Sequence, residues 1–282
     1  MTTPLLVSPS DIAAHPEWRI FDCRHDLGNP HNGVKSYQEG HIPAALHAHL
    51  DQNLSSPASG SNGRHPLPDP ATFVAWLESC GLQPQDHVVA YDADSGAFAA
   101  RLWWLLRAVG HTRVSVLDGG FAAWQREGKP VSTTVPTFSP SRYSPWQWKA
   151  NACVDVNAVV HNLASADFLV VDARAANRYA GQDETIDPVG GHIPGALNRP
   201  FTQNLHNGKF KDPGTLKQEF LEILGTTPAT RVVNQCGSGV TACHNILAME
   251  LAGLHGSRLY GGSWSEWCSS ASRPVATGSR PL

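Results

Sequence analysis

Cys236 lies in the run Asn234-Gln235-Cys236-Gly237-Ser238-Gly239-Val240-Thr241-Ala242, the stretch best suited to chemistry. The Arg231-Val232-Val233 segment before it predicts the end of a buried strand. Ile246, Leu247, Met249 and Leu251 after it predict a helix. A loop with two glycines at such a junction can curl until backbone N–H groups point at the sulfur, and the positive end of the helix dipole adds to them. That cradle favours the thiolate, the nucleophilic form of cysteine, without a cationic side chain. It would hold a persulfide anion equally well. A lone cysteine is more commonly an inert core residue, but a core residue needs no flanking glycines at a strand–helix turn. A cysteine phosphatase uses a similar cradle in the form Cys-x5-Arg; here the last position is Ala242, so the cation that would bind a phosphoryl group is missing.

The elements that must position this loop occur twice. The first half contains Phe21-Asp22-Cys23-Arg24, Gly40-His41-Ile42-Pro43, Val88-Val89-Ala90-Tyr91-Asp92 and Leu117-Asp118-Gly119-Gly120 with Trp124. The second contains Val171-Asp172-Ala173-Arg174, Gly191-His192-Ile193-Pro194, Val232-Val233-Asn234-Gln235-Cys236 and Leu259-Tyr260-Gly261-Gly262 with Trp264 and Trp267. The Asp-to-His interval is 19 residues in one half and 20 in the other, and the loop-to-glycine interval is 27 and 25. Four ordered signals at matched spacings imply two copies of one domain. We expect a non-catalytic copy over 1–134, a linker over 135–150 rich in Pro and Ser, and a catalytic copy over 151–282.

Within each copy short apolar runs alternate with helical patterns. Strands are expected near 18–22, 87–91 and 113–117, with helices near 70–80, 97–109 and 120–127. The second copy repeats this with strands near 167–172, 231–235 and 257–260 and helices near 214–224, 239–252 and 263–269. Alternation of this kind predicts an α/β fold, each copy a mainly parallel sheet flanked by helices. Ligands of such sheets bind beyond the carboxyl ends of the strands, where Cys236 falls. At the same place the first copy has Asp92-Ala93-Asp94-Ser95-Gly96, and a carboxylate cannot act as a sulfur nucleophile.

The composition excludes several other classes. At 282 residues with a formal net charge of -3 and no basic run, the chain does not look like a nucleic-acid binder. Its six cysteines include no Cys-x-x-Cys pair, which argues against a zinc ribbon or a disulfide framework and for a reducing, cytoplasmic setting. The N-terminal residues do not form a signal-peptide pattern, and no apolar run is long enough to span a membrane. His41 and His192 in the two Gly-His-Ile-Pro motifs are expected to hold loops against the sheet. Cys243, two helical turns after Cys236 and on the same face, could resolve a persulfide as a disulfide, but is expected to be a small core residue.

The duplicated pattern, the two Gly-His-Ile-Pro motifs, the Cys236-Gly-Ser-Gly-Val-Thr241 loop and the Tyr260-Gly-Gly-Ser-Trp-Ser-Glu-Trp267 segment resemble the tandem rhodanese-domain sulfurtransferases over nearly the whole chain. In that family, members that use thiosulfate typically carry Arg and Lys in the loop. The form seen here is similar to the branch that uses 3-mercaptopyruvate. The resemblance implies sulfur transfer through a Cys236 persulfide to a thiol such as thioredoxin, to a small thiol or to cyanide, with no metal or organic cofactor. Thiosulfate is the alternative donor, and a non-catalytic binding module the alternative from another class.

It also implies site residues. Ser238, His65 and Asp51 correspond to a Ser-His-Asp set beside the cysteine; on the residues alone, Ser238 also fits a helix cap, His65 a loop histidine and Asp51 a turn. Arg178 corresponds to an arginine that grips the substrate carboxylate, with Gly237, Gly239, Val240 and Thr241 lining the loop. Some family members carry a second arginine between that motif and the second Gly-His-Ile-Pro. Residues 182–190 contain none, leaving Arg64 or Arg199 as substitutes.

Overall fold

The structure, a computed structural model, describes residues 3–279. The chain divides into two compact units. One comprises Met1–Ser56, Pro68–Lys149 and Asn207–Lys209; the other comprises Pro57–Leu67, Ala150–His206 and Phe210–Leu282. Residues 57–67, which lie within the first repeat in sequence, therefore belong to the second unit.

In the first unit the elements are β1 (Leu6–Val7), α1 (Pro9–Ala14), β2 (Arg19–Asp22), α2 (His31–Glu39), β3 (Leu46–His47), α3 (Leu50–Asn53), α4 (Pro70–Ser79), β4 (Val88–Tyr91), α5 (Ala99–Ala108), β5 (Val114–Leu117) and α6 (Gly120–Arg126). The strands form a parallel sheet in the order β1-β5-β4-β2-β3. Strands β4 and β5 are buried along their whole length, as parallel strands covered on both faces must be. Helix starts are set by local chemistry: Ser8 and Asp11 form a reciprocal capping box on α1, and Asp69 accepts from the Thr72 N–H ahead of Pro70 on α4.

The second half continues with β6 (Cys153–Val154), α7 (Val156–Ser165), β7 (Leu169–Asp172), α8 (Ala176–Tyr179), β8 (Leu197–Asn198), β9 (Leu205–His206), β10 (Lys209–Phe210), α9 (Pro213–Leu224), β11 (Val232–Gln235), α10 (Thr241–Leu251), β12 (Arg258–Tyr260) and α11 (Ser263–Trp267). Its main sheet is again all parallel, in the order β6-β12-β11-β7-β8, which repeats the first sheet position for position. Alternation along the strands divides the core. Val170 and Val233 face Tyr179, Trp264 and Trp267, whereas Val171 and Val232 face Phe220, Ala248 and Met249. Both faces are thus apolar, and Cys236 follows the last residue of a central strand.

The α/β architecture is the one expected, and all six expected strands and six expected helices are present to within two residues at each end. Elements the sequence did not announce are the two-residue edge strands β1, β3, β6 and β8, the β9–β10 hairpin, and helices α1, α2, α3, α7 and α8. Two residues carry no periodicity. Helix α7, by contrast, has Asp155 as its N-cap, accepting from the Ala158 N–H, a start signal that was legible.

The two copies also share their loop supports. The His41 Nδ1 lies 2.7 Å from the Tyr37 carbonyl and its ring stacks on Tyr37; the His192 Nδ1 lies 2.9 Å from the Tyr179 carbonyl and its ring stacks on Tyr179. Both histidines pair by an isolated backbone bridge with a residue far along the chain, Ser132 and Ala276 respectively. They hold loops, as expected.

Candidate active site

The loop after β11 is braced from below by the turn after β12. The Cys236 N–H donates to Ser263 Oγ at 3.1 Å, the Trp264 N–H to the Cys236 carbonyl at 3.0 Å, and the Ser265 N–H to the Gly237 carbonyl at 2.9 Å. Cys236 is buried, and the Gly239 N–H donates to its Sγ at 3.2 Å. Helix α10 begins at Thr241, with buried Val240 at its N-cap making no side-chain cap bond. The sulfur therefore has a backbone donor and a helix N-terminus beside it, the environment that suits an anion. Cys243 is fully buried, and its thiol donates to the Gly239 carbonyl at 3.3 Å, so it supports the loop from the helix side.

Gly239 is required on two counts. Its φ is +77°, and a Cβ at this position would collide with the Gly261 carbonyl oxygen. Gly239→Ala should destabilise the second unit by about 2–4 kcal/mol, from left-handed backbone strain and the displaced turn. Because the same residue supplies the N–H on the sulfur, kcat/KM should also fall at least about tenfold. Thermal unfolding and steady-state kinetics of the variant test both effects.

The first copy shows what the equivalent loop does without a nucleophile. Asp92 follows β4 as Cys236 follows β11, and its carboxylate accepts from the N–H groups of Gly96 at 2.9 Å, Phe98 at 2.8 Å and Ala99 at 3.2 Å. Burial pushes this carboxyl above the usual range, against the pull of those backbone bonds. The cradle is present and a side chain of the protein fills it.

Segment 57–67 is pinned to the second unit beside the cysteine loop. The Arg64 N–H donates to Ser265 Oγ at 3.0 Å, and a Cβ on Gly63 would lie 2.7 Å from the Gly262 carbonyl oxygen. This docking brings two side chains to the loop. His65 is buried, with Nδ1 2.8 Å from Ser238 Oγ. Ser238 is thus engaged by a histidine and does not act as the N-cap of α10. The Arg64 guanidinium reaches the other side of the loop: a Cβ on Gly237 would lie 2.8 Å from Arg64 Nη2 and 3.8 Å from both terminal nitrogens of Arg178.

Of the residues expected at the site, Cys236, Gly237, Ser238, Gly239, Val240 and Thr241 form one loop, and His65 and Arg178 lie against it. Asp51 sits in α3 of the first unit, its N–H donating to His49 Nδ1 at 3.1 Å. Arg199 is committed elsewhere, bonded to Glu219 at 2.7 Å and to Asn204. Arg64 is therefore the second arginine at the loop. Sequence reasoning did not find Asp187 and Glu184, which hold these arginines. The Arg178 Nε donates to Glu184 at 2.9 Å and its Nη2 to Asp187 Oδ2 at 2.9 Å, while Arg64 Nη1 pairs with Asp187 Oδ1. Burial pushes the Asp187 carboxyl above its ordinary range, opposed by the two guanidiniums. No motif or spacing marks two acidic residues in a loop.

A pair of like-wound parallel sheets, one ending in a cysteine inside a braced backbone loop and the other in a carboxylate, defines a duplicated α/β protein whose two copies differ at the loop. A rhodanese-like domain model matches residues 10–127 and again 155–270, and the chain belongs to the rhodanese-like family. It is 44% identical to a probable 3-mercaptopyruvate sulfurtransferase of Pseudomonas aeruginosa, over 99% of this chain and 100% of that one. It is 37% identical to a thiosulfate sulfurtransferase of Cricetulus griseus, over 89% of this chain and 85% of that one. Among solved structures, the 3-mercaptopyruvate sulfurtransferase of Leishmania major superposes with a TM-score of 0.84 at 32% identity, covering 93% of this chain and 74% of that one.

Proposed function

We propose that the chain is a sulfurtransferase that takes sulfur from 3-mercaptopyruvate. The Cys236 thiolate attacks the donor sulfur, the carbon–sulfur bond breaks, and its electron pair leaves on pyruvate as the enolate. The sulfur stays on Cys236 as a persulfide, and an acceptor thiol or cyanide then removes it, completing a ping-pong cycle. The enolate must gain a proton at this step. Ser238 Oγ–H is the source, relayed by His65, whose Nδ1 lies 2.8 Å from it.

The observation that favours this donor is the 2.8 Å contact between His65 and Ser238, two residues beyond the cysteine. Thiosulfate releases sulfite, an anion that needs no proton to leave, so a hydroxyl–imidazole relay would be idle with that donor. The loop itself carries Gly237 and Ser238 and no cation, and the two guanidiniums that reach it are already paired with Asp187 and Glu184, which suits a monoanion more than a compact dianion. The donor carboxylate is gripped to one side by Arg178 and Arg64, whose guanidiniums lie over Gly237.

Thioredoxin-like dithiols suit the acceptor role, because a second thiol can release the transferred sulfur. Six free cysteines fit a reducing compartment such as the cytoplasm. Among the described residues no helix is long and apolar enough to cross a membrane.

Parallel assays of pyruvate and sulfite release test the donor assignment. We expect kcat/KM for 3-mercaptopyruvate to exceed that for thiosulfate by at least about tenfold, the scale of one lost proton-transfer or charge contact. A higher value for thiosulfate would overturn the assignment.

A further inference from the structure

Asp187 lies in the 182–190 stretch, where the chain has no arginine. One oxygen pairs with Arg64 and the other accepts from Arg178 at 2.9 Å, so a single planar group ties together side chains that are far apart in sequence. The Asp187 side chain is only 2% exposed, while the Arg178 and Arg64 side chains are 18% and 32% exposed. The anchor is buried and the two cations it holds open outward. Glu184 takes the Nε edge of Arg178, and both terminal nitrogens of Arg178 lie 3.8 Å from where a Cβ on Gly237 would sit, with Arg64 Nη2 at 2.8 Å from the same point. Two guanidiniums this close repel each other unless an anion lies between them.

We infer that Asp187 is a positioning residue that recruits Arg64 to Arg178 and so builds a two-arginine clamp for the donor carboxylate beside Cys236. Asp187 does not touch the donor; it acts through the two arginines. Together Asp187 and Glu184 offset the two positive charges, so the clamp presents directed N–H groups with little net charge. That suits a planar monoanionic carboxylate more than a compact dianion. This inference rests on the 3-mercaptopyruvate reading above.

In Asp187→Asn the carboxamide offers one acceptor and one N–H2 group, so it can retain one arginine and must repel the other. KM for 3-mercaptopyruvate should rise about tenfold with kcat changed less than about threefold, and the ratio of thiosulfate to 3-mercaptopyruvate kcat/KM should rise by about the same tenfold. In an Arg64→Ala background, which should itself raise KM, the further effect of Asp187→Asn should be less than about threefold, because the partner through which Asp187 acts is gone. Full additivity in this cycle, a fall in kcat with KM unchanged, or no change at all would each overturn the inference. If Asp187→Asn does not fold, Arg64→Ala alone decides it, and an unchanged KM there rejects the clamp. A wild-type chain active on 3-mercaptopyruvate with an unaffected Asp187→Asn removes only this inference; an inactive wild-type chain removes the functional reading and the inference together.

Discussion

Replacing Cys236 with serine should lower sulfur transfer at least about 10⁴-fold with either donor, because a hydroxyl is a far weaker nucleophile than a thiolate and cannot store sulfur as a persulfide. The substitution is close to isosteric. The backbone bonds around the loop, from the Cys236 N–H to Ser263 and from the Trp264 and Ser265 N–H groups back to the loop carbonyls, do not involve the sulfur. The Gly239 N–H bond to Sγ changes its acceptor, and a serine oxygen can also accept. The melting temperature should therefore stay within about 4 °C of the wild type, the shift expected from about 1 kcal/mol in a chain of this size. Kinetics alongside thermal unfolding separate a lost nucleophile from a lost fold. Substantial residual turnover in a folded Cys236→Ser variant would mean that another group carries the sulfur.

The second large effect concerns the relay. His65→Ala removes the buried partner of Ser238 Oγ while leaving the Arg64 anchor to Ser265 and the loop itself in place. With 3-mercaptopyruvate the enolate then leaves without an oriented proton source, and kcat should drop by about 10²–10³-fold, within the usual range for general acid–base catalysis. With thiosulfate the sulfite departs unprotonated, and the same variant should change kcat less than about threefold. The measurement is kcat for both donors on one preparation. Equal losses with both would assign His65 to loop support and remove the argument from the leaving group.

The parts of this molecule that were legible in the sequence are those that depend on short stretches. Cys236 with its glycines, the paired Gly-His-Ile-Pro motifs and the apolar runs of β4, β7 and β11 each declare themselves within a few residues, and the repeat of their order gave two like sheets. Ser238 and His65 could be suggested only by resemblance, since their contact joins positions 173 residues apart. Arg64 and Asp187, 123 residues apart, show the limit more sharply. Residues 182–190 hold no cation and instead supply an anion that pairs with a cation from residues 57–67. No periodicity or cap signal records a pairing of that kind; it exists only once segment 57–67 has joined the second unit. The two-residue edge strands escaped for a simpler reason, since nothing in two residues can alternate.

Transfer through Cys236 requires that this residue store the sulfur between donor and acceptor. The most direct measurement is mass analysis of the intact chain and of its peptides after brief exposure to 3-mercaptopyruvate, without an acceptor, with pyruvate quantified in the same sample. We expect the gain of one sulfur atom per chain, located on the peptide containing Cys236, with one pyruvate released for each, and its loss on adding a thiol or cyanide. Sulfur found on Cys243 or another cysteine, or pyruvate release with no gain in mass on Cys236, would contradict it.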